Sequence, residues 1–163
     1  MQDDHSNIRI TRTGQASQLL CRQWVPLPVA DVFPFFSAAQ NLERLTPDFL
    51  RFRMLRAPAE PLRAGAVIDY RLSLHHVPVW WRTQIRDWDP PRGFVDVQVR
   101  GPFRRWHHQH EFVSSESGTL ILDTVEFDVY CRFLRATPLL SWIDSDLRRI
   151  FSYRRDRIAA LLG

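Results

Sequence analysis

The segment from residue 137 to residue 162 has the pattern of one long amphipathic helix, and this feature limits the fold most strongly. Apolar residues recur there at spacings of three and four, the period that places side chains on one helical face. These residues are Leu140, Ile143, Leu147, Ile150, Phe151, Ile158 and Leu161. Arg154 falls on the same stripe. The rest of the chain must cover this stripe, and Arg154 must reach the covered interface or extend to solvent.

Most of the preceding chain alternates apolar and polar residues, which predicts antiparallel strands separated by turns rich in Gly, Pro, Ser and Asp. Extended segments are predicted at residues 18–25, 49–55, 67–74, 79–88, 94–100, 104–113 and 119–130. Two short helices are predicted after the first strand, near residues 29–36 and 42–45, with Asn41 as a cap for the second. We therefore expect an α+β fold in which a curved antiparallel sheet of about seven strands wraps around the C-terminal helix. We predict that residues 1–14 form a flexible N-terminal arm and that residues 15–163 form a single domain.

The charge composition excludes some functions and leaves others open. The chain carries a net charge of +4. All 22 of its basic Lys and Arg positions are arginine, and the absence of lysine excludes Schiff-base chemistry. No nucleic-acid-binding motif accompanies the arginines, so no nucleic acid is expected as a partner, whereas transient contact with an anionic membrane surface stays open. Cys21 and Cys131 lack metal-site spacing, and the first ten residues lack a signal-peptide pattern, so a cytoplasmic location is expected.

The strand predicted at residues 104–113 carries the most informative polar residues. Alternation places Trp106, His108 and His110 on one face with Phe112, and the aromatic residues mark that face as inward. If Val113 pairs with Gly118 across the turn, His108 lies opposite Asp123 and His110 opposite Ile121. Directly opposed residues have Cβ atoms about 5 Å apart, so the sequence predicts a hydrogen bond between His108 and an inward Asp123.

Three interpretations of this cluster remain open at this stage. It can be a buried polar network that stabilises the fold. It can orient a ligand in an apolar pocket, with or without proton transfer. It can also bind a metal, but His-x-His on one strand face leaves the third ligand undefined, so no metal and no other cofactor is expected. A serine-hydrolase triad has no support, since no GxSxG motif occurs.

The order of these elements resembles the START-like helix-grip fold of the SRPBCC ligand-binding superfamily. Several blocks are more closely similar to an uncharacterised bacterial branch of polyketide cyclase/dehydrase-like proteins: residues 41–47, 68–72, 78–85, 89–91, 94–98, 101–112 and 150–154. The resemblance implies a deep cavity between sheet and last helix that accepts lipids, isoprenoids or polyketides. One departure is the segment 130–136, where a proline-glycine break is expected in this branch, so the cavity entrance is expected to differ.

The sequence and the resemblance together give a set of candidate ligand-binding residues: Tyr70, Trp81, Gln98, Trp106, His108, His110, Asp123 and Arg154. The face of strand 94–100 is open, because hydrophobicity favours inward Val95, Val97 and Val99 while the resemblance favours Asp96 and Gln98.

The first function hypothesis is a carrier or sensor that binds a hydrophobic small molecule. The alternative is a non-redox cyclase or dehydratase, with His108 or His110 moving a proton and Asp123 or Tyr70 orienting it. The third is a protein-interaction module that uses Trp80 and the arginines.

Overall fold

The structure is a computed structural model that describes residues 8–13, 16–130 and 138–163. Within those ranges the strands are β1 Ile8–Thr13, β2 Ala16–Val25, β3 Arg53–Arg56, β4 Val67–Leu74, β5 Val77–Asp89, β6 Gly93–Arg100, β7 Arg105–Ser115 and β8 Gly118–Asp128. The helices are α1 Val29–Phe36, α2 Asn41–Arg44 and α3 Pro138–Leu162, and Asp48–Leu50 forms a 3₁₀ turn.

All eight strands belong to one antiparallel sheet with the order β1-β2-β8-β7-β6-β5-β4-β3. Pairing of β2 with β8 brings the first part of the chain beside the last strand, while α1 and α2 occupy the connection between β2 and β3. The sheet is curved, and α3 packs on it. The predicted α+β helix-grip fold is therefore confirmed, with eight strands instead of about seven.

The apolar stripe of α3 fills the space inside the sheet. Leu147 and Phe151 pack in one core cluster with Trp81 of β5, while Ile158 packs in a second cluster with Val32 of α1. Ile158 and Val32 are almost completely buried. The helical period thus predicted which residues of α3 the sheet covers. Residue 137, the first of the predicted helix, and residues 131–136 of the segment where the cavity entrance is expected to differ lie outside the described residues.

The expectation of a flexible arm is wrong for residues 8–13. These residues form β1, which pairs with β2 along its whole length, from Ile8 with Cys21 to Thr13 with Ala16. Ile8 is buried, and the Arg148 guanidinium donates a hydrogen bond of 2.9 Å to its carbonyl oxygen. Burial on one side and backbone pairing on the other keep this short strand in the sheet.

The predicted pairing of β7 with β8 is wrong by two residues. Ser115, not Val113, lies opposite Gly118, so His110 faces Asp123 and His108 faces Val125. The strands continue further because a two-residue turn is enough to connect them. A shift of two preserves the inward face of every side chain, whereas a shift of one would have reversed it.

Burial also explains the state of the cysteine within the described chain. Cys21 is a free, buried thiol on β2, and burial together with the nearby Asp123 carboxylate raises its pKa to about 12. A thiol that holds its proton so firmly packs as a small apolar side chain. Cys131 lies outside the described residues.

In the part of the chain that the structure describes, no helix has the length and apolar character needed to span a membrane.

Candidate functional site

A cavity of about 220 Å³ lies between the inner face of the sheet, the α1–α2 region and α3. Its wall is mostly apolar, and its polar groups are Asn41, Thr46, Tyr70, Thr83, Asp96, His108, His110, Asp146 and Arg154. Six of the predicted binding residues contribute to this wall: Tyr70, Trp81, Trp106, His108, His110 and Arg154. The cavity thus has the composition of a small-molecule site, which is apolar with a few convergent polar groups.

Aromatic side chains from three strands form one side of the cavity. The rings of Tyr70 and Trp81 stack with centroids 5.9 Å apart, and Trp106 meets Trp81 edge to face at 5.2 Å. The Trp81 indole also donates a hydrogen bond of 3.2 Å to Thr83 Oγ1. Burial and the nearby Asp96 carboxylate raise the pKa of Tyr70 well above its usual value, so its phenol stays neutral. This wall offers flat apolar surface with a few hydrogen-bonding groups.

The polar end of the cavity is a ring of two histidines and two aspartates. Asp96 Oδ2 lies 3.3 Å from His108 Nδ1 and 2.9 Å from His110 Nε2. On the other side of the imidazoles, Asp123 Oδ1 lies 3.0 Å from His108 Nε2 and 2.7 Å from His110 Nδ1. Both imidazoles are therefore held between the same two carboxylates, and their ring centroids are 3.8 Å apart. We call these four residues the His–Asp ring.

The two carboxylates of the His–Asp ring have different surroundings. Asp96, on β6, faces the cavity, whereas Asp123, on β8, lies behind the imidazoles and does not contribute to the cavity wall. Arg154 approaches Asp123 from α3, with Nε 3.7 Å from Oδ2, and its guanidinium carbon lies 5.5 Å from the centroid of the Phe36 ring. The Arg154 Nε has no hydrogen-bond partner, so its interaction with Asp123 is one of charge.

Mutual compensation of charge allows the His–Asp ring to be buried. Burial alone raises the pKa of both aspartates, but His108 and His110 lower the pKa of Asp96, and Arg154 together with the histidines holds the pKa of Asp123 well below its usual value. Burial lowers the pKa of His108, but the carboxylates of Asp96 and Asp123 have the larger opposite effect, so the pKa is raised overall. Both aspartates are thus anionic, with a histidine and an arginine as counter-charges.

Gln98, one of the predicted ligand-binding residues, does not contribute to the cavity wall. Its side chain closes the β6–β7 connection, donating to the Phe103 carbonyl at 2.6 Å and accepting from the Phe103 N–H at 3.2 Å. Of the two faces that the sequence left open for this strand, the one with Phe94 and Asp96 lines the cavity. Neither Val95 nor Val97 contributes to the cavity wall, and Val99 is 56% exposed.

Asp96 is the site residue that sequence reasoning did not select. The β6–β7 connection is longer than a two-residue hairpin, and the pairing of β5 with β6 shifts between Arg82 and Thr83. These features turn Phe94 and Asp96 toward the cavity, with Asp96 directly opposite His108 in the sheet. The signal that pointed to Asp96 was the resemblance of residues 94–98 to the bacterial branch.

The surface residues proposed for protein contact lie away from this cavity. Trp80 is 56% exposed and follows the outward alternation of β5, next to the inward Trp81. Its neighbour in the adjacent strand β4 is Arg71. A lone exposed tryptophan beside an arginine does not define an interface.

Comparison with known proteins supports the fold and a family. The profile of the family described as polyketide cyclase / dehydrase and lipid transport matches residues 25–151. Among solved structures, the protein Ms6760 from Mycobacterium smegmatis is 17% identical with a TM-score of 0.66, over 95% of this chain and 97% of that chain. Ginseng major latex-like protein 151 from Panax ginseng is 13% identical with a TM-score of 0.66, over 91% and 99%.

A START superfamily protein from Mycobacterium smegmatis is 9% identical with a TM-score of 0.64, over 90% of this chain and 99% of that chain. At identities this low, the three structures show a shared fold alone. No curated protein matches the chain.

Proposed function

The chain belongs to the polyketide cyclase / dehydrase and lipid transport family, and we propose that it binds a hydrophobic small molecule of the lipid, isoprenoid or polyketide class as a carrier or sensor. The observation that carries this proposal is the apolar cavity between sheet and α3, with the His–Asp ring at one end. An apolar wall supplies affinity by removing ligand surface from water, and a few polar groups fix the orientation of the ligand.

The size of the cavity favours a compact ligand. A dry apolar cavity of about 150 Å³ accepts benzene, whereas drug-sized ligands occupy roughly 300–1,000 Å³. At about 220 Å³, this cavity suits a molecule of one or two rings, or a short isoprenoid, better than a long acyl chain. The stacked Tyr70 and Trp81 rings offer a flat surface that matches such a ligand.

The charge of the His–Asp ring favours a ligand with a neutral polar group. His108 and Arg154 are the counter-charges of the Asp96 and Asp123 carboxylates, so a further anion would meet two carboxylates already in place. A ligand hydroxyl can instead donate a hydrogen bond to an imidazole nitrogen or accept one from an imidazole N–H, and a ligand carbonyl can accept one, in each case without adding charge. The polar end of the cavity would then orient a ligand that is mostly apolar.

Catalysis is the second candidate, and the hydrogen bond of 2.9 Å between His110 and Asp96 favours it, because both residues reach the cavity wall. An imidazole that a carboxylate orients can take a proton from a ligand carbon and return it to a hydroxyl, as a cyclase or dehydratase requires. The two candidates differ in the fate of the ligand. A carrier releases an unchanged molecule, whereas an enzyme releases one of altered mass or connectivity.

Binding of the neutral two-ring fluorescent probe 2-naphthol tests the proposal. We expect saturable binding in the micromolar range, about 8 kcal/mol, which apolar extracts compete away. Trp81→Gln should weaken binding at least tenfold, whereas Trp80→Gln, at the neighbouring but outward position, should bind like the wild type. Ala38→Phe provides a second variant, because Ala38 lines the cavity and a larger side chain there occupies its volume. A folded wild-type protein without saturable binding would refute the cavity as a ligand site.

A further inference from the structure

We propose that Asp96, His108 and His110 bind a divalent transition-metal ion at the polar end of the cavity, with Zn²⁺ or Fe²⁺ as the best match. In the sequence, the His-x-His spacing leaves the third ligand of a metal site undefined. The structure supplies that ligand in Asp96. The inference goes beyond binding of an apolar molecule, because it assigns a separate inorganic ligand to the cavity.

Asp96 Oδ2 is spaced from both imidazole nitrogens as two ligands of one metal ion are spaced. Two atoms that each lie about 2.1 Å from one ion are about 3.0 Å apart at a right angle and about 3.4 Å apart at a tetrahedral angle. Asp96 Oδ2 lies 2.9 Å from His110 Nε2 and 3.3 Å from His108 Nδ1. All three donor atoms lie within 4.8 Å of one another. Small rotations of the side chains would bring them around one ion.

Asp123 holds both imidazoles from the other side. Its Oδ1 lies 3.0 Å from His108 Nε2 and 2.7 Å from His110 Nδ1, the ring nitrogens that face away from Asp96. Histidines that bind metals almost always direct their second ring N–H to a carboxylate or carbonyl, which fixes the tautomer. Asp123 is 4% exposed and Arg154 balances its charge, so it is a suitable orienting group. One buried carboxylate thus positions two ligands together.

The hydrogen bonds of the two imidazoles leave one buried nitrogen without a partner. His108 Nε2 is bonded to Asp123 and His110 Nε2 to Asp96, whereas His110 Nδ1 has no hydrogen-bond partner although Asp123 Oδ1 is close. A cation bound by the nitrogens on the Asp96 side would let His110 direct its Nδ1–H to Asp123.

The donor set and its position indicate which ions fit. Two imidazole nitrogens with one carboxylate oxygen suit zinc and ferrous iron, whereas calcium and magnesium prefer sites made only of oxygen. The three donors belong to the cavity wall, so the remaining coordination positions face the cavity. A metal ion there could contact the polar group of a cavity ligand directly.

Titration of the ligand-free, untagged protein with Zn²⁺ tests this site. After chelator treatment, we expect calorimetry to show one equivalent of Zn²⁺ bound per chain. Asp96→Asn, which keeps the shape of the side chain, should weaken the affinity at least 100-fold, and Asp123→Asn should weaken it 10- to 100-fold. His107→Ala is the matched control, because His107 alternates to the opposite face of β7, and it should stay within twofold of the wild type.

A measurement on the wild type keeps the test valid if a variant does not fold. In ¹H–¹⁵N spectra of the imidazoles, Zn²⁺ should shift the signals of His108 and His110 and leave those of the exposed turn residues His75 and His76 in place. Absence of saturable binding in the folded protein would overturn the proposal, as would binding that Asp96→Asn does not weaken. Because no organic molecule is present, failure of this test leaves the result with 2-naphthol intact.

Discussion

Replacement of Arg154 by methionine is the most informative perturbation of the buried cluster. Arg154 lies on the inner stripe of α3 with its side chain 11% exposed, and its Nε is 3.7 Å from the Asp123 carboxylate. Methionine keeps most of the aliphatic stem and removes the charge. The substitution therefore asks how strongly the charge of α3 is coupled to the aspartate of β8, with little change in packing.

The expected loss of stability follows from the geometry. At 3.7 Å and an effective dielectric constant of about 20, the attraction between the two charges is about 4.5 kcal/mol. The variant also avoids the cost of burying a guanidinium, which offsets part of this loss, while Asp123 keeps its two histidines. We expect the free energy of unfolding to fall by about 3 kcal/mol, the lower end of the range for breaking a buried ion pair.

The pH dependence of this loss identifies its cause. Because Arg154 lowers the pKa of Asp123, its stabilising effect is complete above pH about 4, where an aspartate in the unfolded chain is ionised. The effect is lost as the pH falls toward the lower pKa of the folded state, by about 1.4 kcal/mol per pH unit. The difference between wild type and Arg154→Met should thus be about 1 kcal/mol smaller at pH 3 than at pH 7.

Urea denaturation at both pH values measures this difference, and Arg149→Met is the matched control. Arg149 is an exposed arginine of the same helix, with its guanidinium carbon 3.9 Å from the centroid of the Phe49 ring. Its replacement should cost at most about 1 kcal/mol, equally at both pH values. A cost below about 1 kcal/mol for Arg154→Met, without a pH dependence, would show that the guanidinium is not coupled to Asp123.

Two further predictions test the sheet around the cluster. Gly93→Ala should lower the free energy of unfolding, measured by urea denaturation, by about 1–3 kcal/mol, because a Cβ at Gly93 would lie 2.2 Å from the backbone oxygen of His110. A change below about 0.5 kcal/mol would contradict this prediction. His108→Gln should lower the free energy of unfolding more at pH 6 than at pH 9. Burial lowers the pKa of His108, but the two carboxylates raise it overall. The protonated imidazole therefore stabilises the fold fully below pH about 6.5, and this stabilisation is lost as the pH rises through the raised pKa. Equal costs at both pH values in urea denaturation would contradict this assignment.

The parts of the site that local periodicity determines could be predicted from the sequence. The helical period placed Arg154 on the covered stripe of α3, and the strand period placed His108 and His110 on the inner face of β7. These assignments do not depend on the exact pairing of strands. The error of two residues in the pairing of β7 with β8 therefore changed which histidine lies opposite Asp123. It left the side chains of His108, His110 and Asp123 on the inner face of the sheet.

The parts that depend on turns and bulges could not be predicted in this way. On β6, three alternating valines favoured one face and the resemblance favoured the other, so alternation alone did not identify Asp96 as a residue of the inner face. The face of that strand depends on the four-residue connection to β7 and on the shift in its pairing with β5, and neither feature follows from the alternation within β6. Gln98 shows the same limit, since its role is to close the connection through Phe103.

Occupancy of the proposed metal site would decide which ligand the cavity prefers. Without a cation, Asp96 presents a negative charge to the cavity, and a ligand carboxylate or phosphate would be repelled while a hydroxyl or carbonyl group would be accepted. A divalent ion held by Asp96, His108 and His110 would reverse this, because its charge would exceed that of the one carboxylate among its ligands. Anionic oxygen atoms of a ligand would then be the favoured partners. The same apolar cavity would thus select neutral molecules in one state and acidic molecules in the other, so we infer that ligand screens with and without Zn²⁺ should give different sets of bound molecules.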